Sequence, residues 1–203
     1  MTFADLEMQV TRTLNALLGT SRREGDALES LMQNFSLRIE LFYFLALRAT
    51  QQIFMRPGQG ILNSEVRVNE VLRKSAEAIY GALKQANSDR NNLLHGAWTG
   101  LSPTDFTYSK TRLKTGEGKL TEIPLHGISI QLLKDEADYI VSVNMRLTDW
   151  TARVGRIDRP DLWPAPLPDK YLLHSPLGSH IQRNRDQGNK DQKRARPRSP
   201  SRG

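Results

Sequence analysis

Ser88-Asp89-Arg90-Asn91-Asn92-Leu93-Leu94-His95-Gly96-Ala97 is the stretch on which both the fold and the chemistry of this chain turn. Serine and aspartate are helix-capping types, because their side-chain oxygens accept the unpaired N–H groups of a first turn. Ser88 and Asp89 therefore predict the end of one helix near Asn87 and the start of another, running through Arg90 to about Thr99. Arg90 and Asn91 would lie in that first turn. There the N–H groups and the positive end of the helix dipole favour a phosphate, and the arginine fork adds charge-assisted hydrogen bonds. His95 follows Asn91 by four residues, so the two side chains are about 40° apart around the helix and Asn91 can orient the imidazole. Arg90 and His95 diverge by about 140°. A single copy is thus a poor site, whereas two copies across a two-fold axis surround one phosphate with two arginines and two histidines, which predicts a homodimer.

The flanking sequence is mostly helical in pattern. Thr2 with Asp5 has the form of a capping box, and Phe3, Leu6, Val10, Leu14, Leu17 and Leu18 recur at helical spacing up to Gly19. Asp26 with Glu29 repeats the signal ahead of a second helix over 27 to about 55, stopped by Pro57, Gly58 and Gly60. Its middle, Ile39 to Leu45, is apolar on nearly every side, as expected of a helix covered by neighbours or by another subunit. Glu40 is the exception, a carboxylate placed to orient Arg90 or His95 or else to reach solvent. Asn63 or Ser64 caps a third helix whose core face is Val68, Val71, Leu72, Ala76, Ile79 and Leu83. The Arg90 stretch then opens the second arm of an αα-hairpin, with Leu94, Ala97 and Leu101 as an apolar stripe and Trp98 beside it.

After Pro103 the period becomes two. Phe106, Tyr108, Lys110, Arg112 and Lys114 alternate with Thr107, Ser109, Thr111 and Leu113, and a turn at Thr115–Lys119 makes a β-hairpin over about 105–124. Lys110, Arg112 and Lys114 beside Phe106 and Tyr108 form a candidate RNA-binding face, since aromatics among cations stack on unpaired bases; the alternative is an ordinary solvated strand. Ser129 caps a last long helix through Leu132, Leu133, Ala137, Ile140, Val141, Met145, Leu147 and Trp150. From Gly155 on, five prolines predict an extended segment over 155–179, with Trp163, Leu167, Tyr171 and Leu173 strapping it to the domain. Beyond it lies a disordered basic tail, 180–203.

The charge of +7 is concentrated in that tail, where eight Lys or Arg oppose two Asp, leaving +6 there and +1 elsewhere. Basicity thus supports nucleic-acid contact only through the tail or local patches. With no cysteine, disulfides, thiolate metal sites and cysteine nucleophiles are excluded. No pair among His95, His126, His174 and His180 has metal-ligand spacing, and no paired-carboxylate or phosphate-loop motif occurs. No metal and no cofactor are expected. The longest apolar run, Leu41 to Leu47, falls far short of the roughly 20 residues that span a bilayer, and no signal peptide is evident; a cytoplasmic location is the expectation.

Arg90, Asn91, the spacer Asn92-Leu93-Leu94, His95 and Gly96 resemble the signature of the HEPN family (higher eukaryotes and prokaryotes nucleotide-binding domain), whose nucleolytic members carry Arg, a polar residue, three to five further residues and then His. The resemblance covers this stretch alone. It implies a mainly α fold, a HEPN-like helical bundle of four to five helices over 1–154, here with the inserted β-hairpin. It also implies head-to-head dimers that cut RNA without metal, with His95 assisting attack by the ribose 2′-hydroxyl and Arg90 stabilising phosphate charge. The implied partners are RNA, a second copy and, in a toxin–antitoxin or antiphage setting, an antitoxin protein. Two alternatives remain open: a non-catalytic helical module that binds a partner, nucleotide or RNA, with Arg90 a surface residue and His95 a packed histidine, and an RNA-binding accessory protein driven by its tail.

Overall fold

The first helix, α1 (Phe3–Leu18), begins and ends as its sequence requires. Thr2 and Asp5 form the reciprocal capping box, and hydrogen bonding to Thr2 lowers the Asp5 carboxyl below its ordinary value. Gly19 closes the helix in the left-handed conformation (φ 63°) that glycine adopts without a Cβ clash. The computed structural model describes residues 2–20, 33–54, 65–94, 97–100, 105–113, 120–165, 167, 174–183 and 186. The described part is mainly helical. By proximity the chain divides into two units, Met1–Arg90 with Ala137–Leu173, and Asn91–Glu136 with His174–Gly203.

In the first unit, α2 (Phe35–Ala49) starts at Asn34, whose side chain accepts from the Ser36 N–H at 2.9 Å. It stops at Thr50, and β1 (Gln51–Phe54) pairs antiparallel with β2 (Glu65–Val68), Gln51 opposite Val68. The continuous helix expected over 27–55 is therefore wrong at both described ends: Gln33 and Asn34 are not helical, and the β-branched and aromatic pair Ile53-Phe54 is used in a strand. Likewise α3 (Glu70–Leu94) is capped by Asn69, which accepts from the Leu72 N–H at 3.1 Å, and not by Asn63 or Ser64. Val68 and Val71 are exposed, and the buried face is Leu72, Ala76, Ile79, Leu83 and Ala86.

One core joins Leu6, Val10 and Leu14 of α1, Phe35, Ile39, Phe42 and Ala46 of α2, these α3 residues, and Tyr139, Val143, Leu147 and Trp150 of α4 (Ile130–Val154). Burial of each large apolar side chain stabilises the fold by roughly 1.5–3 kcal/mol. Its two buried polar aromatics are satisfied: Trp150 Nε1 donates to the Leu72 carbonyl at 2.9 Å and Tyr139 Oη to the Ala82 carbonyl at 2.8 Å. Trp150 also meets Phe42 edge to face, with centroids 5.5 Å apart. The α4 face therefore centres on Tyr139, Val143, Leu147 and Trp150, whereas Ala137, expected inside, is exposed. The strap is present where described: Trp163 packs on this core and donates to the Arg156 carbonyl at 3.0 Å. Tyr171 and Leu173 lie outside the described residues.

The second unit contains the expected hairpin, β4 (Asp105–Leu113) against β5 (Leu120–Ser129), and a third strand, β3 (Ala97–Gly100), on the other side of β4. Phe106 pairs with Ile128 and Tyr108 with Leu125, so β5 carries one extra residue at His126-Gly127, a bulge. Ser129 caps α4 as its sequence predicts, accepting from the Leu132 N–H at 3.1 Å.

The last described helix, α5 (residues 176–183), corrects the reading of 155–179 as extended and of the tail as starting at 180. Pro176 sits at the first helical position, where the missing N–H costs nothing, and Ser175 Oγ accepts from the Gly178 N–H at 2.7 Å. A short 3-10 turn, Pro160–Leu162, is a second departure from the extended reading. The remaining expected tail, residue 186 excepted, lies outside the described residues. No described helix is long and apolar enough to cross a membrane.

Candidate functional site

Arg90 lies near the C-terminal end of α3. No helix begins at Ser88-Asp89, because no glycine or proline interrupts the chain between Gly81 and Gly96, and capping types without a stop signal do not end a helix. Asp89 is buried and its carboxylate turns back one helical turn, accepting from Gln85 Nε2 at 2.9 and 3.0 Å. Two expectations are overturned. The α3 dipole presents its negative end near Arg90 and Asn91, so a phosphate held there depends on the guanidinium charge and not on helix N–H groups. And Ala97, Trp98 and Thr99 belong to β3, so the stripe of Leu94, Ala97 and Leu101 does not exist; Leu94 is itself exposed.

The Arg90 side chain is fixed from α1. Its Nη1 lies 3.1 Å from Glu7 Oε1, and its guanidinium carbon stands 4.8 Å over the Phe3 ring. Phe3 and Glu7 are four apart on α1, so a ring and a carboxylate share one face and hold the fork between them. The Arg90 side chain is still 35% exposed, so it is not sealed from solvent.

Glu40 does not orient Arg90. It accepts from Tyr80 Oη at 2.7 Å and lies 3.4 Å from Lys84 Nζ. The Tyr80 hydrogen bond, helped by Lys84, lowers the Glu40 carboxyl below its ordinary value, and Tyr80 raises the Lys84 ammonium in turn. Tyr80 also stacks on Tyr43, with centroids 4.2 Å apart. Glu40 therefore closes a surface network between α2 and α3. The sequence alone missed Glu7 and Phe3; their i, i+4 spacing was visible, but nothing in it names the arginine they would meet.

Asn91 is half-buried on α3, and its neighbour Leu93 packs against Ile128, Leu177 and Ile181 within the second unit. His95 and Gly96 lie outside the described residues. Lys110 and Arg112 occupy ladder positions of β4, opposite Ile123 and Thr121, and Lys114 lies outside the described residues. No group of three or more His, Asp or Glu is gathered in a metal-holding arrangement among the described residues.

Compared with known proteins, the chain matches no family model, and no curated protein or solved structure is significantly similar to it.

Proposed function

We propose that this protein is a metal-independent RNA endonuclease of the HEPN type, working as a homodimer whose composite site takes Arg90, Asn91 and His95 from each copy. The observation that carries the reading is Arg90, a side chain held from two sides by Glu7 and Phe3 yet not sealed from solvent, one residue before the polar Asn91 and five before a histidine. A cation fixed in advance loses little freedom when it engages a phosphate. In the reaction, one His95 takes the proton of the ribose 2′-hydroxyl as that oxygen bonds to phosphorus, and Arg90 stabilises the added charge. The bond from phosphorus to the 5′-oxygen breaks, and the other copy's His95 protonates the leaving oxygen. The products are a 2′,3′-cyclic phosphate and a 5′-hydroxyl end. Lys110, Arg112 and Lys114 are the residues proposed to hold flanking RNA, and an antitoxin protein is the proposed inhibitor.

The test is cleavage of single-stranded RNA by purified protein with EDTA present, scored for cyclic phosphate ends. His95→Ala and Arg90→Ala, with unchanged circular dichroism, are expected to abolish it; cutting that disappears only when metal is chelated rejects the mechanism.

One observation favours a second reading, a non-catalytic helical module. Glu7 already occupies an anion position at Arg90, as in a structural ion pair. Under that reading no RNA is cut at any protein concentration, and His95→Ala changes only stability or partner affinity.

A further inference from the structure

The α2 helix buries Phe35, Ile39, Phe42 and Ala46 on one side and leaves Leu37 and Phe44 exposed among Glu40 and Arg48 on the opposite side. Leu37, Leu41, Phe44 and Arg48 follow one another at intervals of four, three and four residues, within about 60° around the helix. Leu37 is 54% and Phe44 63% exposed and Arg48 is exposed, whereas Leu41 is half-buried and packs in part against the chain's own core. Residues spaced in this way form the seam of paired helices, and large side chains left in water along such a seam mark a contact surface.

Charge identifies the occupant. In an antiparallel pairing of two α2 helices about a two-fold axis, Leu41 of each copy faces Phe44 of the other. Arg48 then lies over Leu37 of the other copy and one turn from its Glu40, a carboxylate kept ionised by Tyr80 and Lys84. The same contact forms twice, so the face complements itself. A parallel pairing would set Arg48 against Arg48.

We infer that the outward face of α2 binds a second copy of this chain, in antiparallel two-fold contact through Leu37, Leu41 and Phe44, with Arg48 of each copy paired to Glu40 of the other. The contact does not rest on the nuclease reading. Asn87 of α3 donates to Ser36 at the start of α2 at 2.9 Å. At about 1.5 Å per residue, the two Ser36 residues of such a pair lie about 20 Å apart along the helices, and Arg90, beyond Asn87, is carried to opposite ends. This interface is therefore separate from any that brings two copies of the Arg90–His95 stretch together, and the two combined would build an assembly larger than a dimer.

The chain has no cysteine, so introduced thiols report the pairing directly. Under oxidation, Leu37→Cys chains mixed with Arg48→Cys chains are expected to cross-link, whereas Leu37→Cys chains alone are not. Phe44→Glu, with its circular dichroism unchanged, is expected to weaken self-association at least about thirtyfold by sedimentation equilibrium, as loss of an aromatic anchor does. Arg48→Glu should weaken it less, and Glu40→Arg combined with Arg48→Glu should restore it. Cross-linking of Leu37→Cys alone, or self-association unmoved by Phe44→Glu, overturns the inference. So does a Phe44→Glu chain that loses RNA binding but keeps its oligomeric state.

Discussion

Glu7 on α1 and Arg90 near the end of α3 form a 3.1 Å ion pair over the Phe3 ring, so the arginine singled out by the sequence is tied to the first helix of the chain. A carboxylate there both positions the guanidinium and competes with any phosphate for it. Glu7→Gln removes the competing charge and keeps the shape. It should tighten RNA binding by up to about fivefold, the equivalent of about 1 kcal/mol for a unit charge removed at contact distance in water. Stability should change by less than about 1 kcal/mol, since the pair is partly exposed. Fluorescence anisotropy with labelled RNA checks the first and thermal melting the second; unchanged affinity would mean that Arg90 does not meet the RNA.

Trp150 lies at the centre of the four-helix core, against Phe42 and the Leu72 carbonyl. Trp150→Ala should cost about 3–5 kcal/mol in urea unfolding, the range for large aromatic truncations in a packed core. Tyr139→Phe should cost about 1 kcal/mol, because it removes one buried hydrogen bond and little volume.

At the α5 N-terminus, Ser175 Oγ accepts from the Gly178 N–H and donates to the buried Glu136 at 2.8 Å, and Glu136 also accepts from the Leu177 N–H at 3.1 Å. Ser175→Ala should cost about 1 kcal/mol locally, the usual worth of such a cap. Hydrogen exchange of residues 176–183 should quicken while the α1 and α2 amides keep their protection; uniform loss of protection would contradict a local role.

The Glu40 carboxyl titrates below its ordinary value of 4.5 because Tyr80 donates to its ionised form. A lowered pKa means that the network's contribution is present above the unfolded value and lost as pH falls through the folded one. Tyr80→Phe should move the Glu40 titration upward toward 4.5, read by NMR of the side-chain carboxyl. A titration that stays where it is would show that Tyr80 is not the cause.

The ends of α1 and the start of α4 were legible in the sequence because each depends on local chemistry: Thr2 with Asp5, Gly19, and Ser129 before Leu132. The β4–β5 hairpin was legible from its period of two. What failed did so where the same residue types serve two purposes. Ser88-Asp89 reads as a cap, but with nothing to stop α3 they remain inside it, Asp89 bonded back to Gln85. Ile53-Phe54 continues a helical apolar pattern yet pairs with Glu65 and Val66 in a strand. Pro176 reads as a breaker unless its place at a first turn is known. The partners of Arg90 and Glu40 come from elements distant in sequence, and such pairings leave no local trace.

Leu93, inside the spacer of the Arg90–His95 stretch, packs against Leu177 and Ile181 of the C-terminal helix. The far end of the protein is thus part of the footing on which that stretch stands. A version that ends before Ile181 would strip that side chain from beneath Leu93, and a lost activity would then speak of damaged foundations and not of the basic residues removed; the cut that isolates their contribution falls after Arg183.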